Sequence, residues 1–219
     1  MHKLALVIAN KNYSSWSMRP WVLLREAGIP FEEISLRFSD EGRIPGVGRY
    51  SPSGQVPVLL VDGEPVWDSL AIGETIAELF PHKHLWPRDA CARRLARSVC
   101  AEMHAGFRSM RGAMPMNIRA SHPGKGMDPA VQKDIDRIVA IWQDCRARSQ
   151  GEGSMLFGTF SLADAMYAPV AARFATYAVV LPPVAQAYAA AVLDLAAVRE
   201  WVEAARRETE FVRAAEPYA

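Results

Sequence analysis

The first apolar run, LALVIA (Leu4–Ala9), is six residues long and ends on asparagine, the pattern of a short buried strand. Met18–Ala27 follows with helical character: Pro20 is tolerated in its first turn and Gly28 supplies a stop. PFEEISL (Pro30–Leu36) reads as a second strand with Phe31, Ile34 and Leu36 at its apolar positions. A β-α-β unit is therefore expected before residue 37. Residues 37–54 are rich in Gly, Pro and Ser and have no period, so they predict an irregular connection with room for one short helix. In VPVLLVDGEPVW (Val56–Trp67), Asp62-Gly63 separates two apolar runs, a strong hairpin signal. Asp68-Ser69 then opens a helix with Leu70, Ile72, Ile76 and Leu79 or Phe80 on its apolar side.

The period changes after residue 80. PHKHLWPRD (Pro81–Asp89) holds two prolines and no repeat, as a linker would. Everything beyond it reads as helix: Cys91–Ala113, a break over Pro115–Pro129, Ala130–Ser149, Leu162–Ala178, a break at Pro182-Pro183, then Ala185–Val192 and Ala196–Arg207. In Ala130–Ser149 the apolar stripe is Val131, Ile135, Ile138, Val139 and Trp142. The expected fold is an α/β N-terminal domain, a mixed sheet of βαβ and ββα halves, over residues 1–80. A linker over 81–88 and an all-α domain over 89–219 complete it.

Composition narrows the function. Of 219 residues 50% are hydrophobic and 22% charged, with a formal net charge of +1. That is a folded globular balance, and without a basic block it argues against nucleic acid or a membrane surface as partner. The N-terminal apolar run is too short for a signal or membrane helix, so a cytoplasmic protein is expected. Cys91, Cys100 and Cys145 lack CxxC spacing, and His82-x-His84 has no pattern of ligands to complete it, so no metal is expected. The five histidines are read as solvated or capping residues.

Three places could carry chemistry. Val56-Pro57 stands where a strand begins; a cis bond there would leave Val56's backbone free to pair with an extended ligand, while a trans proline would simply start the strand. Asp68-Ser69 is a good helix cap, and equally a place where a carboxylate meets the positive helix end while Asp68 pairs with an ammonium. Ser14, Ser15 and Ser17, in NYSSWSMRPW, can cap the next helix or donate to an anion. No histidine adjoins them, so a Ser-His-Asp hydrolase is a poor reading. A hydroxyl at a helix N-terminus suits stabilisation of a ligand thiolate, whose pKa it would lower.

The order of these motifs, a serine-bearing βα turn, QVPVL, then DS opening a helix, followed by an all-helical half, resembles the soluble glutathione transferases over the whole chain. The resemblance is to a bacterial member, zeta-like at this turn: SSWSMR is most similar to the zeta class, whose pattern reads Ser-Ser-Cys-Ser-x-Arg. The resemblance implies a thioredoxin-like N-terminal domain, glutathione as co-substrate and a homodimer. It assigns thiolate formation to Ser14, with Ser15 as the neighbouring candidate. It places glutathione on Gln55, Val56, Pro57, Asp68 and Ser69, with Arg43 for the glycyl carboxylate and Arg49 close behind. SLADAMYAP (Ser161–Pro169) matches the family's capping box, making Asp164 structural.

The acceptor side is expected from Trp16, Met103, Phe107 and Met110 as an apolar wall, with Arg108, Arg111 and Arg173 able to attract an anion. Two departures stand out. Trp16 replaces the zeta cysteine, and Tyr177 stands where zeta isomerases carry an arginine for the substrate carboxylate; Arg173 lies one helical turn earlier. The expected activity is detoxifying conjugation of glutathione to a small apolar electrophile. The alternatives are glutathione-dependent isomerisation or peroxide reduction, or a non-catalytic carrier or interaction protein of the same fold.

Overall fold

A computed structural model describes residues 2–149 and 152–219. The sheet contains β1 (Leu4–Ile8), β2 (Glu32–Ser35), β3 (Val58–Val61) and β4 (Glu64–Val66) in the order β2-β1-β3-β4. β1 runs parallel to β2 and antiparallel to β3, and β3 and β4 form the hairpin. The continuous apolar run of β1 has a physical reason: both its faces are buried. Leu4, Leu6 and Ile8 enter the main core, while Val7 and Ala9 join Val47, Val56 and Val58 on the other face. At the hairpin tip Asp62 and Gly63 both have positive φ, 53° and 98°, the geometry that Asp-Gly supplies.

The helices of this half are α1 (Ser15–Glu26) and α2 (Ser69–Leu79). α1 begins three residues earlier than its hydrophobic pattern predicts. Ser14 is its N-cap position, so Ser15 and Ser17 are helical and Pro20 lies inside the helix rather than in its first turn. Short polar residues carry no hydrophobic period, which is why the pattern misses this turn.

The second half consists of α3 (Ala90–Ala105), α4 (Arg108–Ala113), α5 (Pro129–Arg148), α6 (Leu162–Thr176), α7 (Pro183–Asp194) and α8 (Ala196–Arg207). The single helix expected over Cys91–Ala113 is thus two. The chain breaks at Gly106 and Phe107, where Phe107 takes φ 57°. A Cβ on Gly106 would stand 2.7 Å from the Glu102 carbonyl oxygen, so the close turn needs glycine. On α5 the fully buried stripe is Val131, Ile135, Ile138, Ile141, Trp142 and Cys145, with Val139 only partly buried.

Every residue of α6 except Ala175 is buried, so it is the central post of the molecule. Its start is fixed by the capping box: Asp164 accepts from the Ser161 N–H at 2.8 Å, the Ser161 hydroxyl at 2.9 Å and the Leu156 N–H at 2.9 Å. α1 packs on α6 and α8, with Trp21 edge-on to Trp201 at 5.2 Å. α2 meets the start of α6 where Gly73 admits Leu162; a Cβ there would stand 2.4 Å from the Leu162 side chain.

Candidate functional site

Sheet topology gathers the three suspected motifs at one end. β1 ends at Ile8, and Val7 is paired with Val58, the first residue of β3. Val56-Pro57 therefore lies beside the turn that leads from β1 into α1. β4 ends at the same side, since Val66 pairs with Leu59, and it delivers Asp68-Ser69 there. The Val56-Pro57 bond is cis, as expected. Val56 and Pro57 are buried and Gln55 is exposed.

The serines are held differently from one another. Ser14 Oγ donates to Ser17 Oγ at 2.7 Å, and Ser17 Oγ accepts from the Ala9 N–H at 3.3 Å. Ser15 Oγ instead accepts from Arg173 Nη2 at 2.9 Å, so its own proton is not consumed by that bond. None of the three caps α1 by a side-chain hydrogen bond: the N-cap, Ser14, makes none. Ser17 is a buried brace between strand and helix.

At the start of α2 the Asp68 carboxylate does two jobs. Oδ1 accepts from the Leu70 N–H at 3.1 Å, the N-cap bond expected, and Oδ2 meets His104 Nε2 at 2.9 Å. Ser69 is buried, with Arg19 Nη1 3.4 Å from its hydroxyl. The structure thus adds His104 to the residues read from the sequence, and gives Arg19, the arginine of the SSWSMR motif, its place beside Ser69. Histidine was expected to be solvated or capping, yet His104 bridges the two halves and packs edge-on to Trp16 at 5.3 Å. Nothing local marks it: only the fold brings residue 104 to residue 68.

Trp16 is half-buried, with the Arg19 guanidinium 4.1 Å and that of Arg111 5.2 Å from its ring. Arg108 is exposed on α4 beside Arg111. Met103 and Met110 are fully buried and Phe107 nearly so; all three belong to the core cluster. Arg43 lies on an exposed turn with its guanidinium 3.9 Å from Glu41, and Arg49 is also exposed. Tyr177 is buried, and its hydroxyl donates to the Pro115 carbonyl at 3.0 Å. Burial and the neighbouring arginines push Arg19 down to about 9, and burial with Arg111 pushes Arg173 down to about 10.

Among the described residues no group of three or more His, Cys, Asp or Glu could hold a metal, and no helix is long and apolar enough to cross a membrane. A groove of about 580 Å³ lies apart from this site, between α6 and α8, where Thr176 spends its hydroxyl on the Asn117 and Ala172 carbonyls.

A small mixed sheet carrying a hydroxyl-rich βα turn, a cis-proline strand start and a serine-opened helix, set against an all-helical half, defines a two-part thioredoxin-like protein. Residues 13–79 match the description "Glutathione S-transferase, N-terminal domain" and residues 102–204 match "Glutathione S-transferase, C-terminal domain". The chain belongs to the glutathione S-transferase family. A probable maleylacetoacetate isomerase from Caenorhabditis elegans is 28% identical over 128 residues, 58% of this chain; the match spans 59% of that relative's length. A glutathione transferase homologue from Burkholderia gl BGR1, solved with bound glutathione, superposes with TM-score 0.70 at 21% identity, covering 95% of this chain and all of that one. The Tau class enzyme of mango, Mangifera indica, also gives 0.70, at 17% identity over 93% of this chain and 96% of its own. At such identities the structural likeness speaks for the fold.

Proposed function

We propose that the chain binds glutathione at the gathered end of the sheet and delivers its thiolate to a small electrophile held against the helical half. The observation that carries this is the convergence of the Ser14-Ser15 turn, Val56-Pro57 and Ser69 at one end of the sheet. In this reading the Val56 backbone pairs with the cysteinyl part of the tripeptide, beside the exposed Gln55. The γ-glutamyl carboxylate takes Ser69 and the start of α2, where free N–H groups and the helix dipole favour a negative charge. Asp68 faces the γ-glutamyl ammonium, sharing its carboxylate with His104. Arg43 would take the glycyl carboxylate by a movement of its exposed loop.

The thiolate donor is Ser14 or Ser15. The resemblance favours Ser14; the hydrogen bonds favour Ser15, because its oxygen accepts from a guanidinium while its proton stays available. Either hydroxyl, near the start of α1, stabilises the ionised thiol and holds it ready for attack. The division at residues 81–88, the cytoplasmic setting and a homodimer belong to the same proposal.

Isothermal titration with glutathione tests the binding site, and Ser69→Ala should weaken it about tenfold. Unchanged affinity in that variant, or no binding by the wild type, removes the reading. Thiol conjugation to a panel of electrophiles then tests the reaction. A second reading is glutathione-dependent isomerisation, favoured by the likeness to the probable maleylacetoacetate isomerase. It predicts conversion of a cis-enedione with no net consumption of glutathione.

A further inference from the structure

His104 is where the helical half touches the start of α2. It stands in the last turn of α3, just before the break at Gly106, and its carbonyl accepts from Arg111 at 3.2 Å. Its ring packs edge-on to Trp16 and turns Nε2 to Asp68 Oδ2 at 2.9 Å. Nδ1 is buried with no hydrogen-bond partner, so the ring proton belongs on Nε2, the nitrogen that faces a carboxylate. An uncharged ring donating from Nε2 occupies one lone pair of Asp68 without neutralising it.

Asp68 needs such a hold. Its side chain is half-exposed, and in its own half only the Leu70 N–H bonds its carboxylate among the described residues. A competing attraction is close. Arg19 is buried, feels the Asp68 charge and has its Nε without a partner, yet the two make no direct ion pair among the described residues. Arg19 Nη1 stands instead 3.4 Å from the Ser69 hydroxyl. Opposite charges left free in a partly dry site close on each other. Here a donor from another helix keeps Asp68 from collapsing onto Arg19. The outcome is a separated pair at the start of α2: Arg19 with the Ser69 hydroxyl, and beside them the Asp68 carboxylate. The end group of an α-amino acid is the reverse pair, a carboxylate and an ammonium on one carbon.

We propose that His104 is a positioning residue of the γ-glutamyl subsite: it holds Asp68 apart from Arg19, and so makes the protein select thiols that carry a free α-ammonium. This rests on the glutathione reading and deepens it, giving the helical half a part in recognising the first residue of the tripeptide. His104 acts through Asp68 and not on the thiol. A carboxylate already set in place spares the ligand the cost of ordering it. Its remaining lone pairs are then open to an ammonium in charge-assisted hydrogen bonds.

Calorimetry with two thiol peptides tests this on the full chain: glutathione, and glutaryl-cysteinylglycine, which keeps the terminal carboxylate and lacks only the ammonium. Wild type should bind glutathione at least about tenfold more tightly than the analogue. His104→Phe keeps a ring against Trp16 and removes the donor. It should lose most of that preference through weaker glutathione binding, with the analogue's affinity within about twofold of wild type. His104→Gln, whose amide nitrogen reaches the place of Nε2, should keep the preference; thermal unfolding checks that each variant is folded. A general loosening of the cleft lowers both affinities alike, so equal losses in a folded His104→Phe overturn the proposal. An unchanged preference in that variant, or a folded His104→Gln that has lost it, does the same. A wild type that binds both peptides equally overturns the proposal and leaves the glutathione reading standing; a wild type that binds neither removes both.

Discussion

The two adjacent serines that the sequence cannot separate acquire different partners in the fold. A charge-assisted hydrogen bond contributes about 1.5–3 kcal/mol, equivalent to about one to two pKa units. If Ser15 is the donor, Ser15→Ala should raise the pKa of bound glutathione by that amount, lower turnover at neutral pH and recover much of it at higher pH. Ultraviolet thiolate absorbance against pH measures this directly. Ser14→Ala moving the curve while Ser15→Ala leaves it in place would transfer the role to Ser14. Ser17→Ala should act on stability, by about 1 kcal/mol, since its hydroxyl joins the Ala9 N–H to Ser14 in a dry environment. These serines were legible as a site because residue types at a strand-to-helix turn suggest an anion. Their division of labour was not, because Arg173 lies 158 positions away from Ser15.

At the scale of elements, local chemistry predicts most of what forms. The Asp-Gly hairpin, the Asp68 cap and the Ser161–Asp164 box each depend on residues within four positions, so each is readable in advance. The break between α3 and α4 is the exception. A single glycine inside an apolar period is often tolerated, and the required close approach to the Glu102 carbonyl appears only in three dimensions. Gly106→Ala should destabilise the protein by about 1–3 kcal/mol, read by urea unfolding, and shift α4 with Arg108 and Arg111.

The capping box makes a pH prediction. Burial raises Asp164 from 3.8 to about 6 against the pull of its hydrogen bonds. A carboxyl whose folded pKa is raised favours the folded state most when protonated, below its unfolded pKa, and loses that contribution as pH climbs through the folded value. Relative to Asp164→Asn, the wild type should therefore lose about 2 kcal/mol between about pH 4.5 and about pH 7. A difference that stays constant over that range would refute the assignment.

Across the whole molecule, the C-terminal segment straps the serine-bearing turn in place. The Glu208 carboxylate accepts the Lys11 N–H at 2.8 Å and the Asn12 N–H at 2.9 Å, just before the serines. Arg119 bonds the Glu208 carbonyl and the Tyr13 hydroxyl, which in turn donates to Glu216 at 2.7 Å. Asn12 completes the clamp through Asn117 and the Arg119 N–H. Glu208→Ala leaves two N–H groups without partners and should cost about 2 kcal/mol. It should also weaken glutathione binding, because the turn carrying Ser14 and Ser15 loses its support; full affinity by calorimetry would show that the turn stands alone.

Hydrophobic period, turn residues and caps act over a few positions. The strands, most helix boundaries, the change from sheet to helices near residue 80, and the three motifs of the candidate site were therefore legible in the order of the residues. Long-range packing assigned Ser15 to Arg173, paired His104 with Asp68, put Met103 and Met110 in the core, and set Arg19 and Arg111 beside Trp16. The physical reason is one of range. Burial and charge pairing depend on which distant surfaces pack together, and α6 sets that by standing buried between the sheet-bearing half and the other helices.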